Sequence, residues 1–194
     1  VETVGALARR MGKTPVVVGD EPGFLVNRIL MPYLGEAVAL VERGTPIEAI
    51  DRALRDFGMP LGPCELLDEI GLDVARKVAH VLEEAFGERM PRTNLLDKLV
   101  SEGTLGKKSG RGFYTYVKGK RSIVNPVFAP SPSKKGAEAT AGPPPEEIVE
   151  RLVDAMINEA TMALEERVAF SADDVDLAMV MGTVGLAQNV SAIR

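Results

Sequence analysis

The sequence of 194 residues contains one cysteine, Cys64, one histidine, His80, and no tryptophan. A single cysteine excludes an internal disulfide and any cysteine-rich zinc or iron–sulfur site. A single histidine excludes a zinc site made of several imidazoles, and it limits Ser-His or Cys-His catalysis to the surroundings of one residue. We interpret His80 as a partly exposed helical residue and Cys64 as a small buried side chain. The position of Cys64 after Pro63 would also suit a thiol activated at a helix N-terminus.

An excess of positive charge and long apolar runs are also missing. The 23 Lys and Arg residues are outnumbered by 28 Asp and Glu, which gives a net charge of −5 and argues against nucleic-acid binding. The longest apolar stretch, 26–41, is interrupted by Arg28 and Glu36 and falls short of the roughly 20 residues of a membrane span. The sequence shows no signal peptide, so we expect a protein of the cytoplasm.

The first residue is Val1 rather than methionine, and it already lies in an amphipathic pattern. Val4, Leu7 and Met11 fall on one helical face, and the β-branched run Val16-Val17-Val18 follows. A buried strand needs neighbours, which nothing else in the sequence supplies. We therefore expect that residues 1–20 are the end of an α/β domain whose larger part lies upstream.

The rest of the chain is predicted to be helical, and its 45% of hydrophobic residues suffice for one large domain or two small ones. The first apolar stripe runs from Phe24 to Gly44, and Pro32 should kink or break it. Residues 118–145 are rich in Pro, Gly, Ser and Lys, which is typical of a linker. Other predicted helices are 46–57, 65–70, 73–86, 95–101, 146–167 and 172–181, with an extended segment at 112–116.

An internal repeat relates the two helical parts, which indicates two copies of one lobe. The matching positions are Arg28 with Arg151, Glu36 with Glu159, Glu42 with Glu165, and Asp51 with Asp176. The alternative is that any two amphipathic helices align this well.

Two further segments could carry chemistry. The segment Gly106-Lys107-Lys108-Ser109-Gly110-Arg111-Gly112 has a Gly-x-Gly spacing but lacks the strand and helix of a dinucleotide loop, which favours a mobile basic turn. Asn27 lies at the start of an apolar helix, where its amide could cap the helix or point into an interdomain cleft. No metal site is predicted.

The stretch Asp20-Glu21-Pro22-Gly23-Phe24-Leu25-Val26-Asn27-Arg28 resembles the start of the C-terminal domain of 3-hydroxyacyl-CoA dehydrogenases. The order and spacing of the later motifs resemble it as well. They are Pro32, Glu36, Gly44, Ile50-Asp51-x-Ala53, Gly58-x-Pro60-x-Gly62-Pro63, Leu66-x-Asp68, Gly71-Leu72-Asp73 and Gly106-Lys107-Lys108-x-Gly110-x-Gly112-Phe113-Tyr114. The second copy resembles that of the multifunctional fatty acid oxidation enzymes up to Thr183, after which the sequence departs from the family pattern.

The resemblance implies a mainly α fold of two repeated helical lobes, similar to the C-terminal domain of 6-phosphogluconate dehydrogenase, with a short remnant of an upstream Rossmann domain. The expected divisions are the upstream remnant at 1–20, a first C-terminal domain at 21–117, a linker at 118–145 and a partial second copy at 146–194.

In such enzymes the upstream domain binds NAD and supplies a His–Glu pair, so the resemblance implies that NAD belongs to the complete parent and that this chain alone binds no cofactor and is inactive. It implies that Asn27 is the catalytic cleft residue. The implied substrate-cleft residues are Pro22, Gly23, Phe24, Pro60, Gly62 and Pro63.

The implied partners are an acyl-CoA bound with the upstream domain, a second copy in a homodimer and a thiolase subunit in a larger complex. One alternative is a non-catalytic helical oligomerisation module. Another is the helical domain of a different two-domain dehydrogenase, such as a 6-phosphogluconate type, although those enzymes use a lysine where this chain has Asn27. A pocket between the Asn27 helix and the Pro60–Pro63 corner would favour acyl-CoA.

Overall fold

The computed structural model describes residues 1–128 and 142–184 and confirms the mainly helical fold. Three short 3₁₀ turns lie at Gly87–Arg89, Lys107–Ser109 and Pro126–Phe128. The helices are α1 (Glu2–Arg10), α2 (Val26–Glu42), α3 (Ile47–Phe57), α4 (Pro63–Ile70), α5 (Leu72–Phe86), α6 (Leu95–Ser101), α7 (Pro145–Glu165) and α8 (Ala172–Val184), and the strands are β1 (Tyr114–Val117) and β2 (Lys120–Val124).

Helix α2 is the centre of the molecule, because 11 of its 17 residues are buried and the other helices from α4 to α8 pack around it. A helix buried on most of its faces is apolar nearly all round rather than along one stripe. Pro32 does not break α2, contrary to one prediction. Its missing N–H only removes the intrahelical donor that the Arg28 carbonyl would otherwise use.

A buried carboxylate, Asp51 of α3, holds the corner between α3 and α4. Its Oδ1 accepts the backbone N–H of Cys64 at 2.8 Å, and its Oδ2 accepts the N–H of Glu65 at 3.2 Å and the hydroxyl of Tyr114 at 2.8 Å. The two N–H groups belong to the first turn of α4, where backbone donors lack helical partners and a negative charge is favourable. Asp51 thus caps α4 from a neighbouring helix.

A second buried carboxylate, Asp68 of α4, holds β1 against the helices. It accepts the backbone N–H groups of Phe113 at 2.8 Å and Tyr114 at 2.9 Å, and the hydroxyl of Tyr116 at 3.0 Å. Gly112 lies so close that a β-carbon there would overlap the Asp68 carboxylate. The motif glycine is therefore required for contact with this acid rather than for binding a phosphate.

The second lobe, α7 and α8, packs directly on the first, and α2 with α7 form the most extensive helix pair. The N-terminal end of α2 buries Leu25 and Ile29 in a small apolar cluster with Ala163, Val168 and Val175 of the second lobe. The start of α2 is therefore held mainly by the second lobe.

Two ion pairs cross this interface between the repeat-related positions. Arg28 Nε lies 2.6 Å from Glu159 Oε1, and Arg151 Nε lies 2.5 Å from Glu36 Oε2. Each copy thus contributes the arginine of one pair and the glutamate of the other. Such reciprocity is the signature of an isologous contact, here between two parts of one chain.

The N-terminal segment differs from its prediction, since Val16, Val17 and Val18 form no strand within the described ranges 1–128 and 142–184. Strand formation requires a hydrogen-bonded neighbour, and β1 and β2 pair only with each other in the described sheet. Val16 and Val18 instead pack on the small apolar cluster, and the Gly19 N–H donates to the Val168 carbonyl.

The first part of the predicted linker also differs, because β2 pairs antiparallel with β1. Asn125 is buried and donates from its amide to the Gly112 carbonyl at 2.7 Å, and the Phe128 ring stacks on Phe113. Residues 129–141 of that linker lie outside the described part of the chain, and so do residues 185–194, which make up all but the first residue of the segment that departs from the family pattern after Thr183. None of the described helices is long and apolar enough to cross a bilayer.

Candidate functional site: an apolar pocket beside the Asn27 helix

Asn27 is the second residue of α2 and has an exposed side chain. It does not cap the helix, since the N-cap residue is Leu25 and no side chain donates or accepts a cap hydrogen bond there. Its amide makes no hydrogen bond with the residues that the structure describes. A side-chain amide offers two donors and one acceptor, and here all of them are available to a ligand or to another domain.

The chain enters α2 through two residues of left-handed backbone, Gly23 with φ +76° and Phe24 with φ +51°. A β-carbon on Gly23 would lie 2.8 Å from Leu82 Cδ2 and 3.2 Å from the Arg28 backbone nitrogen, so only glycine fits. A positive φ at a phenylalanine is rare and indicates local strain. Phe24 is 57% exposed and stands beside Asn27 in the sequence.

An apolar pocket of about 240 Å³ lies between α2 and the corner at residues 58–61, with α7 and α8 of the second lobe forming its other walls. Tyr33 and Thr183 are the two lining residues with a hydroxyl group. The residues that line it are Leu30, Tyr33, Gly58, Met59, Pro60, Leu61, Leu66, Met156, Met179, Val180 and Thr183.

The residues predicted to line the cleft lie in three different places in the structure. Pro60 lines the pocket, whereas Gly62 and Pro63 are buried behind it, where Gly62 contacts Asp51 and Pro63 begins α4. Pro22, Gly23 and Phe24 are not among the described lining residues and lie instead at the entry to α2. Their role in a cleft stays a prediction.

The second-lobe side of the pocket, which includes Met156 and Met179, was not predicted from the sequence. A helical period indicates only that a residue faces inward, and it does not distinguish a packed core from a pocket wall. Both methionines are half-buried, and methionine is a flexible side chain that adapts to irregular space.

Burial governs the ionisation of the groups below the pocket. It raises the pKa of Asp68 to about 6 and also raises that of Asp51, although the backbone and tyrosine donors act in the opposite direction. Burial, followed by the nearby Asp51 charge, raises the pKa of the Tyr33 hydroxyl, which is therefore neutral at physiological pH. The Cys64 thiol is fully buried, and burial raises its pKa, which excludes the activated-thiol alternative.

The other candidate segments have structural partners. Lys107 pairs with Glu69 at 2.6 Å and Lys108 pairs with Asp73, so these two lysines of the glycine-rich turn are already neutralised. His80 is exposed on α5, with its Nε2 3.4 Å from Asp97 Oδ1. Within the described ranges, no group of three or more His, Cys, Asp or Glu side chains could hold a metal ion.

A buried charge cluster lies beneath the first turn of α2. Arg28 is completely buried and Glu159 nearly so, while Glu166 and Arg89 complete the cluster. Both guanidinium groups lie over the Phe86 ring, at 4.5 Å and 5.1 Å from its centroid. Arg28 Nη1 and Arg89 Nε have no hydrogen-bond partner in the part of the chain that the structure describes.

Comparison with known proteins shows which family the chain is similar to. Residues 23–116 match the family model of the 3-hydroxyacyl-CoA dehydrogenase C-terminal domain. A solved 3-hydroxybutyryl-CoA dehydrogenase from Escherichia coli K12 is 30% identical with a TM-score of 0.76, over 94% of this chain and 54% of that one. An (S)-3-hydroxybutyryl-CoA dehydrogenase from Ralstonia eutropha is 40% identical with a TM-score of 0.57, over 60% of this chain and 42% of that one.

The dehydrogenase part of multifunctional enzyme 1 from C. elegans is 22% identical with a TM-score of 0.62, over 95% of this chain and 41% of that one, and it shares the fold. This chain thus spans about half or less of the length of each of these proteins. Residues 23–116 are therefore identified as a 3-hydroxyacyl-CoA dehydrogenase C-terminal domain.

Proposed function

We propose that this chain is the helical, substrate-side part of an NAD-dependent (3S)-3-hydroxyacyl-CoA dehydrogenase of fatty acid β-oxidation. The complete enzyme would oxidise the C3 hydroxyl of the substrate to a ketone. The family match and the names of the similar solved proteins support the activity. The observation that carries the proposal is the apolar pocket whose α2 wall begins at Leu30, one helical turn after the exposed Asn27.

An acyl chain is the part of the substrate that suits this pocket. The lining is almost entirely aliphatic or thioether, and removing apolar surface from water is favourable in proportion to its area. The volume of about 240 Å³ lies below the roughly 300–1,000 Å³ of pockets that enclose a whole drug-sized ligand. A short acyl segment therefore fits inside, while the nucleotide of CoA would remain outside.

Asn27 would contribute a fixed amide at the cleft. Its side chain has no competing partner among the described residues, and its helix is packed on several sides. Such an amide can donate a hydrogen bond to a substrate oxygen, or its oxygen can accept one from a histidine supplied by the upstream domain. Rigid placement of a polar group around a reacting centre is a major source of rate acceleration.

NAD would belong to the upstream domain. Dinucleotides bind at the carboxyl ends of a parallel sheet through a strand, a glycine-rich turn and a helix. The described residues form only a two-stranded antiparallel sheet, and the lysines of the glycine-rich turn are paired with acids. No residue in the described ranges is therefore assigned to the cofactor, whose chemistry is the acceptance of hydride.

The experiment that tests the proposal is Asn27→Ala in the chain with its upstream region restored. We expect turnover with acetoacetyl-CoA and NADH to fall by about 10- to 100-fold, because the change removes a group oriented at the reacting centre. Thermal unfolding should be unchanged, since the side chain is exposed. Unchanged turnover would contradict the role of Asn27, and a complete protein without dehydrogenase activity would favour the non-catalytic oligomerisation module.

A homodimer and a thiolase subunit belong to the same proposal as partners of the complete enzyme. Helix α2 is already covered by α7, so a second copy would have to use outer faces of the helices. One such face is the groove between α3 and α7, where Phe57 is exposed beside Val149 and Val153.

A further inference from the structure

The charge cluster below α2 joins the two lobes through shared hydrogen bonds. Arg28 donates from Nε to Glu159 Oε1 at 2.6 Å and from Nη2 to Glu166 Oε2 at 2.7 Å. Arg89 donates to the same two acids at 2.8 Å each. Two positive and two negative charges thus share one site, and the four hydrogen bonds are all charge-assisted, which are the stronger kind.

Arg28, one of the two arginines of this cluster, directly follows Asn27 in the first turn of α2. No side chain caps it, and the residue before its N-cap, Phe24, has a strained backbone. Uncapped helix ends tend to fray because their first N–H groups lack partners. Two kinds of contact hold this turn in place. Leu25 and Ile29 make apolar contacts, and Arg28 makes the polar contact through its hydrogen bond to Glu159.

We propose that Glu159, assisted by Glu166, is a positioning residue for Asn27 that acts through Arg28. The second lobe then does more than cover apolar surface, because its carboxylates fix the rotation and order of the helical turn that presents the cleft amide. This inference rests on the proposed function, in which Asn27 faces substrate.

The repeat-related ion pair provides an internal comparison. The side chains of Arg151 and Glu36 are 33% and 22% exposed, whereas those of Arg28 and Glu159 are 0% and 4% exposed. Glu36 lies nine residues beyond Asn27 along α2, about 14 Å at the usual helical rise. Among the described residues, a second arginine and a second carboxylate reinforce the pair next to Asn27 and not the pair of Arg151 with Glu36. A purely structural role would make both pairs matter for stability, whereas the positioning role concerns only the pair at Asn27.

The test compares Glu159→Gln with Glu36→Gln in the complete enzyme. We expect Glu159→Gln to lower kcat at least about 10-fold with KM changed less than about 2-fold, since a small misplacement of a catalytic group reduces the rate strongly. Glu36→Gln should leave kcat within about 2-fold. Glu166→Gln, at a half-exposed side chain, serves as the second variant if Glu159→Gln does not fold, and it should lower kcat in the same sense.

Hydrogen exchange of the 194-residue chain gives a readout that is independent of activity. The amide of Ile29, which donates to the Leu25 carbonyl, should exchange faster in Glu159→Gln than in Glu36→Gln. Faster exchange together with unchanged kcat would overturn the positioning role, and so would equal loss of kcat in both variants. An Asn27→Ala enzyme with normal turnover would instead refute the proposed function itself.

Discussion

Asp68 shows how a single buried residue affects the pH dependence of stability. Its pKa is raised to about 6 by burial in the folded chain, while an unfolded aspartate keeps a pKa near 3.8. Between these values the folded state binds more protons than the unfolded state, so stability decreases as pH rises through this window. The stabilisation of the folded state that results from this pKa difference is fully present below pH 3.8 and is lost above about pH 6.

We therefore predict that Asp68→Asn removes part of this pH dependence. Relative to the variant, the parent chain should lose about 2–3 kcal/mol of unfolding free energy between pH 4 and pH 7, from 1.36 kcal/mol per pKa unit. Urea unfolding of both chains across this range measures the difference. A constant difference between the two chains would show that Asp68 does not titrate in this window.

The hydrogen-bond partners of the buried acids could not be predicted from the sequence. Asp51 and Asp68 were recognised as parts of motifs, but their partners are backbone N–H groups and tyrosine hydroxyls 13 to 63 positions away. Periodicity contains no information about such contacts, since they depend on how the elements pack. The burial of Cys64 and the exposure of His80 were predicted correctly, because both follow from local helical pattern.

Among the elements, the corner between α3 and α4 sets the shape of the pocket. Pro60 lines the pocket and Gly62 sits against the Asp51 side chain, where a β-carbon would overlap it. The backbone of Gly62 is in the extended region, so steric contact rather than conformation requires glycine there.

We predict that Gly62→Ala destabilises the chain by about 1–3 kcal/mol, the usual cost of overpacking a filled interior. Gly5→Ala is the matched control, because the nearest atom to its added β-carbon is 3.7 Å away and alanine favours a helix. Urea unfolding of the two variants makes the comparison. If Gly62→Ala is as stable as Gly5→Ala, the close contact with Asp51 is not constraining the corner.

Most helices were predictable because an apolar period and a terminating glycine define each one locally. The incorrect predictions concern segments whose secondary structure depends on pairing with another strand. The run Val16-Val17-Val18 has strand propensity but no neighbouring strand among the described residues. The sequence of β2 begins with Lys-Arg-Ser and resembles a linker, and it forms a strand because it pairs with β1. Strand formation is thus less local than helix formation.

At the scale of the whole molecule, the proposed function assigns the substrate to this chain and NAD to an upstream domain. We predict that the purified 194-residue chain consumes no NADH with acetoacetyl-CoA, while the chain with its upstream region restored does. Absorbance at the NADH band measures both under the same conditions. Steady NADH consumption by the chain alone would contradict the proposal that the upstream domain binds NAD.

The crossed pairs Arg28–Glu159 and Arg151–Glu36 join two halves that are parts of one polypeptide. The contact therefore has an effective concentration set by the connecting segment, and dilution does not separate the halves as it separates subunits. At the position that the repeat matches to Asn27, the second half has Glu150. A linked pair can lack the Asn27 amide in one half and keep it in the other, whereas two identical subunits always change together. The second half is thus free to specialise as a support for a single site.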